Sequence, residues 1–126
     1  MRPSRALLHL ARLADAFLFW PTLTAVIWGE LTGTEPHVAS LLNDKVLHFL
    51  AYFGLAAMAA AAFKERRPVV LTAFGLMLIG GVLEIIQGFT GRDMSIYDEL
   101  ANVLGVVAGA VAGRLVVEFL RKRWAS

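Results

Sequence analysis

Four apolar runs, at residues 11–31, 46–63, 69–89 and 100–119, leave this chain few ways to fold. Each is near the roughly 20 residues that a helix needs to cross about 30 Å of hydrocarbon. Inside hydrocarbon no water satisfies the backbone, so such a run must close its hydrogen bonds internally as a helix. The expectation is all-α: a four-helix transmembrane bundle forming a single domain over residues 1–126. With 58% hydrophobic residues and a mean hydropathy of +0.65, the chain is too apolar for an ordinary soluble domain of its size. Cysteine is absent, which excludes disulfides and thiolate metal sites and leaves the redox compartment unread.

The charges between the runs give an orientation. Arg2, Arg5 and Arg12 lie before or at the start of the first run. Lys64, Arg66 and Arg67 link the second and third, and Arg121, Lys122 and Arg123 follow the fourth. Basic segments beside spans stay in the cytoplasm, so both termini are expected there, in a multi-pass protein of a bacterial cytoplasmic membrane. The other two connections carry only Lys45 and Arg92 among Glu30, Glu35, Asp44, Asp93, Asp98 and Glu99, and are expected outside. Trp28 and Tyr97 then mark the outer interface and Trp124 the inner one. Basic residues beside apolar runs act as topology signals, and no nucleic-acid partner is expected. The first run continues through Trp20, Pro21 and Trp28 without an A-x-A-like cleavage site, so it is expected to remain as a span.

Polar chemistry concentrates in residues 84–105, EIIQGFTGRDMSIYDELANVLG, and in the start of the second run. Asp44, Lys45 and His48 open helix two from the outside, Glu84 and Gln87 close helix three toward it, and Asp98 and Asn102 open helix four. His48, Glu84 and Asn102 each lie about one turn inside a helix end, which permits a common depth. Residues three or four apart share a helix face, so Asp44, His48 and Tyr52 form one stripe. A second runs through Gly80, Gly81, Glu84 and Gln87, and a third through Asp98, Asn102, Gly105, Gly109 and Gly113. Glycines at that repeat allow close helix approach, within the bundle or in a homodimer. The polar upper end of the third stripe favours the intramolecular use.

An acid within a span costs about 2.5–3.5 kcal/mol on insertion scales unless paired, protonated or wet, which makes Glu84 a functional candidate, with a packing role as the alternative. Asp44 and His48 can work as an oriented carboxylate and imidazole for proton transfer, or as a helix start and a bonded histidine. Arg92 and Lys45 suit an anion such as a phosphate, or pair with nearby acids. His48, Glu84 and Asp98 offer metal-ligand types, but no H-E-x-x-H or repeated close ligand pair accompanies them, and neither a metal nor a cofactor is assigned. Ser95 lacks the G-x-S-x-G context of a serine nucleophile.

The pieces DKVLHFLAYFGL, LEIIQ and GRDMSIYDELANVLG, in this order and spacing over residues 44–113, resemble the VanZ-like family of small bacterial membrane proteins. By similarity, the family's polar positions fall on Asp44, Lys45, His48, Glu84, Gln87, Arg92, Asp98 and Asn102. The turn reads FTGR where relatives often place a proline before the glycine and arginine. The resemblance implies a place in the cell envelope and a link to glycopeptide (teicoplanin) susceptibility, without a settled reaction.

The sequence reading is an outward polar cleft that binds the headgroup of a membrane lipid or lipid-linked cell-wall precursor. In its catalytic version Asp44, His48 and Glu84 handle protons, Lys45 and Arg92 hold phosphate, and Gln87, Asp98 and Asn102 orient the site. The alternatives are a non-catalytic module whose polar cluster locks the helices, and a lipid transporter or flippase, for which four spans are few.

Overall fold

The computed structural model describes residues 5–33 and 43–125. Arg2 and Glu35, used above as topology charges, lie outside the described residues, as does the side chain of Trp124. The described residues form four helices: α1 (Arg5–Thr32), α2 (Asp44–Ala62), α3 (Arg66–Phe89) and α4 (Ile96–Ala125). All four are long and apolar enough to cross a membrane. Their surface fits that solvent, with Phe17, Phe74, Leu78, Val111 and Phe119 among the large apolar side chains pointing outward. The chain is built as a multi-pass membrane protein.

Three of the helices reach well beyond the apolar runs. α1 starts at Arg5 rather than residue 11, α3 at Arg66 rather than 69, and α4 extends past residue 119 through Arg121, Lys122 and Arg123. Hydropathy marks only the part of a helix that lipid covers, whereas the backbone ladder continues into charged turns. Pro21 sits inside α1 without ending it. The hydroxyls of Thr22 and Thr24 bond the carbonyls of Leu18 and Trp20, adding polar satisfaction around the residue that has no N–H to give.

Packing is most extensive between α2 and α4. Its cause is the glycine stripe: a Cβ on Gly105 would strike the carbonyl oxygen of Phe49, and one on Gly109 that of Phe53. One on Gly113 would lie 2.6 Å from the carbonyl oxygen of Ala57. The two backbones therefore touch along three successive turns, as small-xxx-small packing allows. Tyr52, Leu55, Ala56, Leu76 and Val106 form the core below the polar end, with Phe19, Leu23 and Val26 of α1 and Met77 of α3 against it.

The bundle has two unlike ends. At one, the C-termini of α1 and α3 meet the N-termini of α2 and α4, and acids, amides and His48 gather there. At the other, Arg114 Nη1 donates to the carbonyls of Phe63 and Lys64, both at 3.0 Å, closing the end of α2. A groove of about 650 Å³ opens beside it, lined in part by Arg12, Lys64, Arg66 and Arg121.

Candidate functional site

The polar end is set by how each helix starts or stops. Asn43 caps α2, its Oδ1 accepting from Lys45 N at 3.0 Å, which places Asp44, Lys45 and His48 on the first turn and a half. Ser95 precedes α4, and its hydroxyl accepts from Asp98 N at 3.4 Å. Its own N–H donates to Glu84 Oε2 at 3.1 Å, so a carboxylate of α3 holds the residue that starts α4. Gly91, with φ of 81°, turns the chain between them in a conformation other residues resist. α1 ends at Gly33, with φ of 65°, whose N–H bonds Gly29 O at 2.9 Å.

Among these elements lies a buried polar core. Asn102 is fully enclosed, and His48, Glu84, Gln87 and Asp98 are each less than a tenth exposed. Asn102 joins two of its neighbours: Nδ2 donates to Glu99 Oε2 at 3.2 Å, and Oδ1 lies 3.0 Å from His48 Nδ1. The far side of the imidazole faces two acids, with Nε2 at 3.7 Å from Asp44 Oδ1 and 4.0 Å from Asp98 Oδ2. The remaining oxygen of Asp98, Oδ1, is 3.3 Å from Lys45 Nζ. Gly80 makes room on the α3 side, since a Cβ there would lie 2.7 Å from Glu99 Oε2 and 2.9 Å from Asn102 Nδ2.

The eight sequence-selected residues thus fall into three groups. Asp44, Lys45, His48, Asp98 and Asn102 are in direct contact or share a partner in contact. Glu84 joins them through Ser95. Gln87 and Arg92 face a different target, the carbonyl of Glu30: Gln87 Nε2 donates to it at 2.9 Å, and Arg92 Nη1 donates to it as well. Both serve the end of α1, where carbonyls lack intrahelical donors and a cation is favoured by the helix dipole. Arg92, expected to grip a ligand phosphate, also holds a helix terminus through Nη1.

Sequence reasoning passed over Glu30, which it counted only as a loop charge. Its side chain is a tenth exposed, Oε1 lies 3.6 Å from His48 Nδ1, and Oε2 accepts from the Tyr52 hydroxyl at 3.5 Å. The signal was available: Glu30 falls within the first apolar run, about a turn from the same end as His48, Glu84 and Asn102. Glu99 was in the polar stretch, but three residues before Asn102 it shares the face that packs inward. Ser95, set aside as a nucleophile, is a cap.

The site therefore holds five carboxylates, Glu30, Asp44, Glu84, Asp98 and Glu99, around one imidazole, with Lys45 and Arg92 at its edge. Lys45 and Asp44 have half-exposed side chains, so the core opens at that edge. Such an arrangement can accept and hand on protons and can hold cationic or hydrogen-bond-donating groups. Comparison of the chain with protein-family models, with curated proteins and with solved structures finds no match.

Proposed function

We propose that the chain is an envelope protein of a bacterial cytoplasmic membrane, with its termini inside and its polar end outside. There it engages the headgroup of a lipid or lipid-linked cell-wall precursor. The observation that carries this reading is the graded mouth of the site. Exposed Arg92 and half-exposed Lys45 and Asp44 lead down to enclosed His48, Glu84 and Asn102. Lys45 supplies the charge for a phosphate, and the carboxylates and imidazole below it are the groups that would move protons in a modifying reaction. The order of motifs over residues 44–113 resembles that of VanZ-like proteins, and that resemblance supports the same compartment and glycopeptide susceptibility as a phenotype to examine.

A non-catalytic module is the second reading, favoured by one observation: Gln87, Arg92 and Asn102 are already committed to other groups of the chain. A transport path is not favoured, because below Tyr52 and Asn102 the packed interior turns to Leu55, Ala56, Leu76 and Val106.

Mass spectrometry of lipids retained by the purified protein separates these readings. The parent is expected to keep an anionic or phosphate-bearing lipid that Lys45→Gln loses, with an unchanged melting temperature because Lys45 is half-exposed. Identical lipid profiles in a folded Lys45→Gln and the parent would reject the headgroup site and leave the structural module.

A further inference from the structure

We infer that Asp44, His48 and Asp98 form a binding site for a divalent cation of the zinc or manganese class, with Asn102 as the residue that orients the imidazole. A chain of donors and acceptors fixes the histidine tautomer. Glu99 Oε2 accepts from the amide nitrogen of Asn102, which turns the amide oxygen toward His48. That oxygen only accepts, so Nδ1 of His48 carries the proton and donates, at 3.0 Å. Nε2 then points its lone pair at Asp44 Oδ1 and Asp98 Oδ2, 3.7 and 4.0 Å away.

A nitrogen lone pair opposite two carboxylate oxygens is a repulsive arrangement, and either a proton or a cation between them relieves it. The three ligand atoms lie within 4.8 Å of one another. Around a cation at about 2.0–2.2 Å from each, such atoms sit about 3.3 Å apart, so closing the set takes side-chain movements of up to about 1.5 Å, which rotation of the half-exposed Asp44 side chain can supply. A metal-binding histidine characteristically donates its other N–H to a carbonyl or carboxylate, the role that Asn102 fills with Glu30 Oε1 nearby at 3.6 Å. Lys45 does not block the site, because it holds Asp98 by Oδ1 and leaves Oδ2 facing the imidazole.

Glu84 points to a ligand independently. It is only 4% exposed, and its Oε1 is buried with no hydrogen-bond partner among the described residues. Its other oxygen is fixed by Ser95, the residue that also caps Asp98. A buried carboxylate oxygen without a donor is costly. A ligand that brings a donor into this polar core would satisfy it. Two carboxylates and one imidazole suit zinc or manganese, and three protein ligands leave a coordination position for water. The inference stands on ligand geometry and does not require the headgroup reading.

The test uses the full chain in lipid nanodiscs, with any affinity tag removed, stripped with EDTA and dialysed against zinc or manganese chloride. Elemental analysis is expected to find about one ion per chain, with binding at least about 100-fold weaker in Asp44→Asn and His48→Gln, and about 10- to 100-fold weaker in Asn102→Ala. Electron spin echo of the manganese form should show a coordinated imidazole nitrogen in the parent that His48→Gln loses. Asp44 is exposed at a helix start, so Asp44→Asn tests the ligand set without risk to the fold. A folded parent that retains neither ion, or equal affinity in the parent and Asp44→Asn, would overturn the site and assign a proton to Nε2. A folded parent that keeps its lipid but binds neither ion would overturn the cation and leave the headgroup reading standing.

Discussion

Asn102 has both ends of its amide committed, to Glu99 and to His48, and no exposed surface. Removing it takes the closest partner from His48 Nδ1 and a donor from Glu99, which costs about 1–3 kcal/mol for a buried group. Tyr52 is equally enclosed, yet its hydroxyl meets Glu30 at 3.5 Å, the outer limit of a hydrogen bond. The two residues therefore separate by mutation. Asn102→Ala is expected to lower the unfolding free energy in detergent by about 1–3 kcal/mol, whereas Tyr52→Phe, which keeps the ring in the core, should cost less than about 1 kcal/mol. Chemical denaturation followed by tryptophan fluorescence measures both, and equal losses would mean that the Tyr52 hydroxyl organises the core as much as the amide does.

Between elements, the contact that matters most is backbone on backbone. Gly105 and Gly109 cannot carry a methyl group without driving α4 away from the carbonyls of Phe49 and Phe53, while a Cβ on Gly75 meets nothing within 4 Å. Gly109→Ala is expected to lower the melting temperature and cost about 1–3 kcal/mol. Gly75→Ala should be neutral or slightly stabilising, because alanine is the better helix former. A thermal scan of the pair checks the geometry directly. This face was legible in the sequence, since a four-residue glycine repeat continuing from Asp98 and Asn102 has one physical use in lipid. Its partner was not, because nothing in the pattern of α2, rich in alanine on several faces, marks Phe49 and Phe53 as the carbonyls it would meet. The same holds for the site. Shared depth at one end brought His48, Glu84 and Asn102 together on paper, but the diversion of Gln87 and Arg92 to the end of α1 depends on where that helix stops. Glu30 was read as a charge for topology because a terminal acid serves either purpose equally well in one dimension.

For the whole molecule, the two ends differ in charge as the proposed orientation requires: carboxylates at one, and Arg12, Lys64, Arg66 and Arg121 around the groove at the other. The chain has no cysteine, so single cysteines report cleanly on sidedness. In intact spheroplasts, Asp93→Cys is expected to react with a membrane-impermeant maleimide, and Glu65→Cys only after lysis. The reverse pattern would invert the protein and place the polar core against the cytoplasm.

The interlock of α2 with α4 also has a meaning for biogenesis. A ribosome delivers α2 to the bilayer two helices before its main partner exists, so His48 enters without Asn102, and the glycine-receptive carbonyl face has nothing against it. A polar side chain in that state is costly in lipid until its partner arrives. Only a chain whose α4 has been inserted can bury the site, and the same contacts that shape its chemistry certify that synthesis has passed that point.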